Sequence, residues 1–167
     1  MVRKRMLLLL VALASGMVLA APAPAPDQRF DINQTVVKIP LAEGVSADDA
    51  ILAIQSKAAA LNMKSVGHQP LSQELAARGI ESGRLEIFQF CNPEDAYAMV
   101  KFNPVFAAYM PCRIVLVEDT AGKTWLMMIN LDMLINNAEL SPEVRTIAER
   151  VNQTLLTIIH AGARGDF

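Results

Sequence analysis

Two cysteines, Cys91 and Cys112, are the residues of this 167-residue chain whose type and placement could carry chemistry. A thiolate is a nucleophile and a soft metal ligand. Their spacing is neither C-x-x-C nor C-x-x-C-H, so neither a thioredoxin-like dithiol nor a covalent haem site is indicated. Each stands at a strand terminus, Cys91 where one segment leaves off and Cys112 where the next begins. If those strands are antiparallel neighbours, both thiols reach the same end of the sheet. Three readings of the pair stay open. A structural disulfide would stabilise by roughly 3 kcal/mol through loop closure. Two buried free thiols would pack as small hydrophobes. A redox, sulfur-handling or soft-metal site would use them as a reactive pair. Met110, two residues before Cys112, would complete a thioether and thiolate set suited to Cu(I). Arg113, the next residue, would lower a neighbouring thiol pKa. Against the metal, methionines commonly fill core gaps, and Met127 and Met128 point to opposite faces of one strand.

The remaining candidates are sparser. His68 follows Gly67 at a strand edge, where it is either a ligand or proton-transfer group or a hydrogen-bonded surface residue. His160 falls where the last helix is expected to close, and is read as a cap to its dipole. Seven of the nine aromatics lie between Phe88 and Trp125. Such a cluster either lines a pocket for an apolar ligand or forms half of a core. No nucleophile elbow, phosphate loop or H-E-x-x-H motif is present, so no catalytic residue is assigned and no cofactor is implied. With 2 cysteines and 2 histidines the chain excludes a closed zinc finger and a disulfide-dense scaffold.

Periodicity supplies the elements that must position these groups. Val36 to Ile39 reads as a strand stopped by Pro40. Ser46 opens a helix whose apolar face is Ile51, Ile54, Ala58 and Leu61, and Asn62 stops it. Residues 63–69 form a second strand, and a short helix from Ser72 is closed by Gly79. Residues 84–90 are a strand with Leu85 and Ile87 on one face and Phe88 and Phe90 on the other. Asn92 and Pro93 start a helix that halts before Pro104. Residues 112–118 and 124–130 form a hairpin around Gly122, the first strand apolar on both faces as a central strand must be. Ser141 caps a long helix with Val144, Ala148, Val151, Leu155 and Ile158 on one stripe, closed by Gly162. Strands mixed with helices around a hairpin predict one α+β domain: an antiparallel, curved sheet with helices mainly on one face.

The N-terminus gives an address. Arg3, Lys4 and Arg5 precede an uncharged run to Ala21 that ends on small residues, the pattern of a signal peptide over residues 1–20 cut after Ala20 or Ala21. The run is short for a membrane span. Alternating Ala and Pro then make a semi-rigid tether over residues 21–29, and the folded domain occupies residues 30–167. Without the three basic residues the balance is 12 basic to 17 acidic side chains, a net of −5. That charge disfavours nucleic acid and anionic membranes as partners. The expected location is periplasmic or secreted, with no stable membrane insertion after cleavage.

Phe88 to Ala96 (F-x-F-C-N-P-E-D-A), Asn103-Pro104, Met110 to Asp119 (M-P-C-R-I-V-L-V-E-D) and Gly122-Lys123-Thr124 together resemble the domain of unknown function 302 family. The resemblance covers most of the chain after the tether. It implies a compact α+β domain and pairing as homodimers, and brings no catalytic residues. The simplest members have Gly or another residue where Cys91 stands and an aliphatic where Cys112 stands. Both positions differ together here, which fits a paired role. The expectation is an exported binding or accessory domain, receiving a small ligand or an envelope protein partner near Cys91, Met110 and Cys112. Its rival is a redox, sulfur-handling or copper site on the same thiols.

Overall fold

The computed structural model describes residues 31–167; the segments expected as signal peptide and tether lie outside the described residues. A single 3-10 turn, Ile32–Thr35, leads into strand β1, Val36–Pro40. Helix α1, Ala47–Ala60, follows, and strand β2, Lys64–Gln69, returns from it. Helix α2, Leu71–Ala77, precedes strand β3, Leu85–Cys91, and helix α3, Pro93–Phe102. A 3-10 segment, Pro104–Tyr109, leads to the hairpin of β4, Cys112–Glu118, and β5, Thr124–Ile129. Helices α4, Leu131–Asn137, and α5, Pro142–Arg164, complete the chain. The strands form one sheet in the order β1-β5-β4-β3-β2, every neighbouring pair antiparallel. This is the α+β architecture the periodicity predicts, with β4 at its centre.

Capping chemistry explains why the helices start where they do. Ser46 and Asp49 form a reciprocal capping box at α1. The Asn92 side-chain oxygen accepts from the Glu94 and Asp95 backbone N–H groups at α3. Ser141 accepts from Val144 at α5. Helices α1 and α5 cover one face of the sheet. Its inward residues Phe88, Phe90, Ile114, Leu116, Leu126 and Met128 are buried against Ile54, Leu155, Ile158 and Ile159. Each such side chain contributes about 1.5–3 kcal/mol by leaving water. On the opposite face Leu85, Ile87, Val115, Val117, Trp125 and Met127 stand in register across three strands, only half-buried and outside the core.

Four sequence expectations are corrected. Gly162 does not end α5, which continues to Arg164 and closes on Gly165 at φ 67°. Instead Gly162 lets α5 approach α1: a Cβ there would lie 2.2 Å from Ile54 Cγ2 and 2.8 Å from Leu126 Cδ1. Consequently His160 is no cap; Arg164 holds the last turn. The buried stripe of α1 runs through Ala50, Ala53, Ile54 and Ala58, and Leu61 is exposed, because close contact with α5 demands small side chains. Residue 130 does not extend β5 but caps a helix the strand pattern concealed, its side-chain oxygen accepting from the Met133 N–H.

Candidate functional site

Strand β3 runs out at Cys91 and β4 begins at Cys112, and the antiparallel pairing brings both to the same end of the sheet. Between them, α3 and the 3-10 segment form an arch, the second part fixed by Asn103, whose side chain accepts from the Val105 N–H. Helix α4 and the first turns of α5 close the other side. The space enclosed is an apolar cavity of about 350 Å3. Phe106 and Tyr109 line the arch, Leu131, Leu134 and Ile135 the α4 wall, and Ala148 and Val151 the α5 wall. Five sulfur-bearing residues line it, Met63, Cys91, Met99, Met110 and Cys112. The aromatic cluster divides: Phe88 and Phe90 belong to the core, Phe106 and Tyr109 to the cavity, Tyr97 and Phe102 to the solvent-facing side of α3.

The disulfide expected between Cys91 and Cys112 is not formed; both are free thiols. Register supplies the reason. Phe90 stands opposite Cys112, so Cys91 lies one residue beyond the pair. Consecutive strand residues start on opposite faces, whereas a bridge needs converging Cβ vectors. Burial pushes the Cys112 thiol up to about 11, the neighbouring Cys91 adding to the effect and Arg113 opposing it too weakly to reverse it. Burial, with the Asp95 carboxylate nearby, also raises Cys91. Both therefore stay protonated at neutral pH, the setting of an unreactive cysteine.

Of the other sequence candidates, Met110 lines the cavity with the two thiols, and Arg113 and His68 do not. Arg113 is exposed, paired in register with Gln89. His68 lies opposite Phe88, three residues before Cys91, roughly 10 Å along the strand. There its ring stacks on Phe88 at 4.5 Å and its Nε2 bonds Glu86 Oε2 at 2.8 Å. Glu86 is buried on the core face, and Arg84 spans it and Asp48 at 2.6 Å each. This Asp48–Arg84–Glu86–His68 chain escaped sequence reading, because Arg84 and Glu86 look like ordinary strand charges. It solvates a carboxylate the core would otherwise strand. The α4 wall was missed as well, although Leu131, Leu134 and Ile135 after Asn130 carry helical spacing. Among the described residues no three His, Cys, Asp or Glu side chains cluster to hold a metal ion. None of the described helices is long and apolar enough to cross a membrane.

An antiparallel sheet with helices on one face, enclosing an apolar cavity at the sheet end, defines a small α+β domain built around an internal site. The chain belongs to the family described as domain of unknown function DUF302, whose model matches residues 37–161. The fold is similar to the crystal structure of an uncharacterized conserved DUF302 protein from Bacillus stearothermophilus, with a TM-score of 0.64 at 18% identity. That similarity covers 76% of this chain and 97% of the other. Comparison with curated proteins returns no match.

Proposed function

We propose that this is an exported binding domain whose cavity takes up a small apolar ligand. The cavity itself carries the reading: about 350 Å3, walled by aliphatic, aromatic and thioether side chains, at the low end of the range of small-molecule sites. Three methionines in the wall favour uptake over tight shape selection, because a thioether side chain re-packs easily. The test is calorimetric titration with octan-1-ol of the wild type and of Ala96→Phe, which fills the cavity from α3. Binding by the wild type and its loss in a folded Ala96→Phe protein support the reading. No heat in the wild type, or equal affinity in the variant, refutes it.

A second reading, a soft monovalent metal held by Cys91, Cys112 and Met110, is supported by all three residues lining one cavity. Competition for Cu(I) against a chelator, in wild type and Cys112→Ala, separates the two. The redox or sulfur-transfer reading is weaker, since protonated thiols attack slowly. Export rests on the basic, apolar and small-residue pattern of the first twenty-one residues. A mature N-terminus at Ala21 or Pro22 in the periplasm supports it, and Met1 retained in the membrane fraction refutes it. Pairing with a second copy is proposed through the open sheet face, where half-buried Ile87, Val115 and Met127 form one row. Five strands about 4.8 Å apart give a face of the size that a modest dimer interface requires. The sheet edges offer less, because β1 carries Lys38 and Pro40 and β2 a bulge. Sedimentation should give a dimer that Val115→Lys converts to a folded monomer.

A further inference from the structure

The charge around the cavity narrows what it can hold. Its carboxamides and carboxylates are Asn92, Asp95, Asn103 and Glu139, Tyr109 adds a phenol, and it has no lysine, arginine or histidine. The oxygens of Asn92 and Asn103 are committed to helix caps, which leaves their N–H groups as donors to an oxygen acceptor. Three cations lie nearby outside the lining: Arg113, exposed next to Cys112, and two that are engaged. Arg150 pairs with Asp95. Arg145 bonds the Ala138 carbonyl at 3.4 Å and faces Glu149 at 4.0 Å. Glu139 is left as an exposed, uncompensated carboxylate at the mouth. Burial first, and the Asp95 carboxylate second, raise the Cys91 thiol in the wall.

We infer that the cavity selects small amphiphiles with a neutral or cationic head, such as alcohols and amines, and rejects carboxylates such as fatty acids. The inference rests on the cavity reading above and adds its selectivity. A carboxylate entering here would lose its hydration, find no cation in the lining to pair with, and meet the Glu139 carboxylate at the mouth. An alcohol loses far less, and a protonated amine gains Glu139. At roughly 30 Å3 of liquid volume for each water-sized group, the cavity admits about a dozen non-hydrogen atoms, so eight-carbon chains fit.

The experiment compares octan-1-ol, octylamine and octanoate by calorimetry at pH 7 on the whole mature protein. Octanoate should bind about tenfold or more weakly than octan-1-ol, and octylamine at least as tightly. In Glu139→Gln, an exposed substitution, the amine should lose about threefold while the alcohol stays within about twofold. In Asp95→Asn, Arg150 is released and octanoate should gain on the alcohol. Octanoate equal to or tighter than octan-1-ol in the wild type overturns the selectivity and leaves the cavity reading standing. Binding of none of the three overturns both. An amine preference unchanged by Glu139→Gln overturns the role given to that carboxylate.

Discussion

Raising the pH from 8 to 11 should destabilise this domain through Cys112, by an amount the structure sets. Unfolded, the thiol ionises near its ordinary 9.0; folded, burial holds it at about 11. Between those values the unfolded chain releases a proton that the native state keeps. The stabilising contribution is therefore complete below pH 9 and lost as pH rises through 11. Two pKa units correspond to about 3 kcal/mol. That is a large share of a typical 5–15 kcal/mol stability, and equivalent to about 10 °C in Tm. Urea unfolding followed by Trp125 fluorescence at pH 8 and pH 11, in wild type and Cys112→Ala, isolates the effect. Lysines and tyrosines titrate in both proteins and cancel. Because the folded thiol is only half ionised at pH 11, wild type should lose about 2 kcal/mol more than the variant over this range. Alkylation gives a second readout, since at pH 8 the thiolate fraction falls from about a tenth to about a thousandth and Cys112 should react about 100-fold more slowly than a free thiol. Equal pH dependence in the two proteins, or alkylation at the free-thiol rate, would refute the burial argument.

Gly162→Ala drives a methyl into Ile54 and Leu126, and should cost about 1–3 kcal/mol in thermal unfolding, without loss of helix by circular dichroism. Arg84→Ala leaves buried Glu86 with His68 alone, and should cost about 3 kcal/mol in denaturant titration, more than Arg145→Ala at an exposed pair. Asp119 is held below the ordinary carboxylate range chiefly by the Trp125 indole N–H at 2.8 Å. Trp125→Phe should raise it in a carboxyl NMR titration. Because its folded value is depressed, the stability it contributes is present near neutrality and lost as pH falls through that value, so the cost of Trp125→Phe should shrink at low pH.

Local pattern carried the elements. Alternation in residues 85–90 set Leu85 and Ile87 on one face and Phe88 and Phe90 on the other, and the structure makes the second pair core. Ser46, Asn92 and Ser141 marked three helix starts, because a cap is a contact within four residues. The positive φ of Asn62 and Gly79 likewise ends α1 and α2 where their residue types suggested. Reading failed where one residue type serves two purposes. A glycine in the last turns of a helix signals a stop, yet at Gly162 the requirement is the approach of α1, a segment more than a hundred residues earlier.

The sequence by itself determined the α+β class, the strand order with every α-helix but α4, and the presence of two thiols at strand ends, since each depends on short-range periodicity and chain direction. Tertiary structure alone decided what those thiols do. The β3–β4 register sets Cys91 one residue past Cys112 and leaves them unbridged, and the packing of α4 and α5 against the arch turns that end of the sheet into a partly open apolar cavity. Register and helix packing are sums over many long-range contacts, and no window of residues contains them.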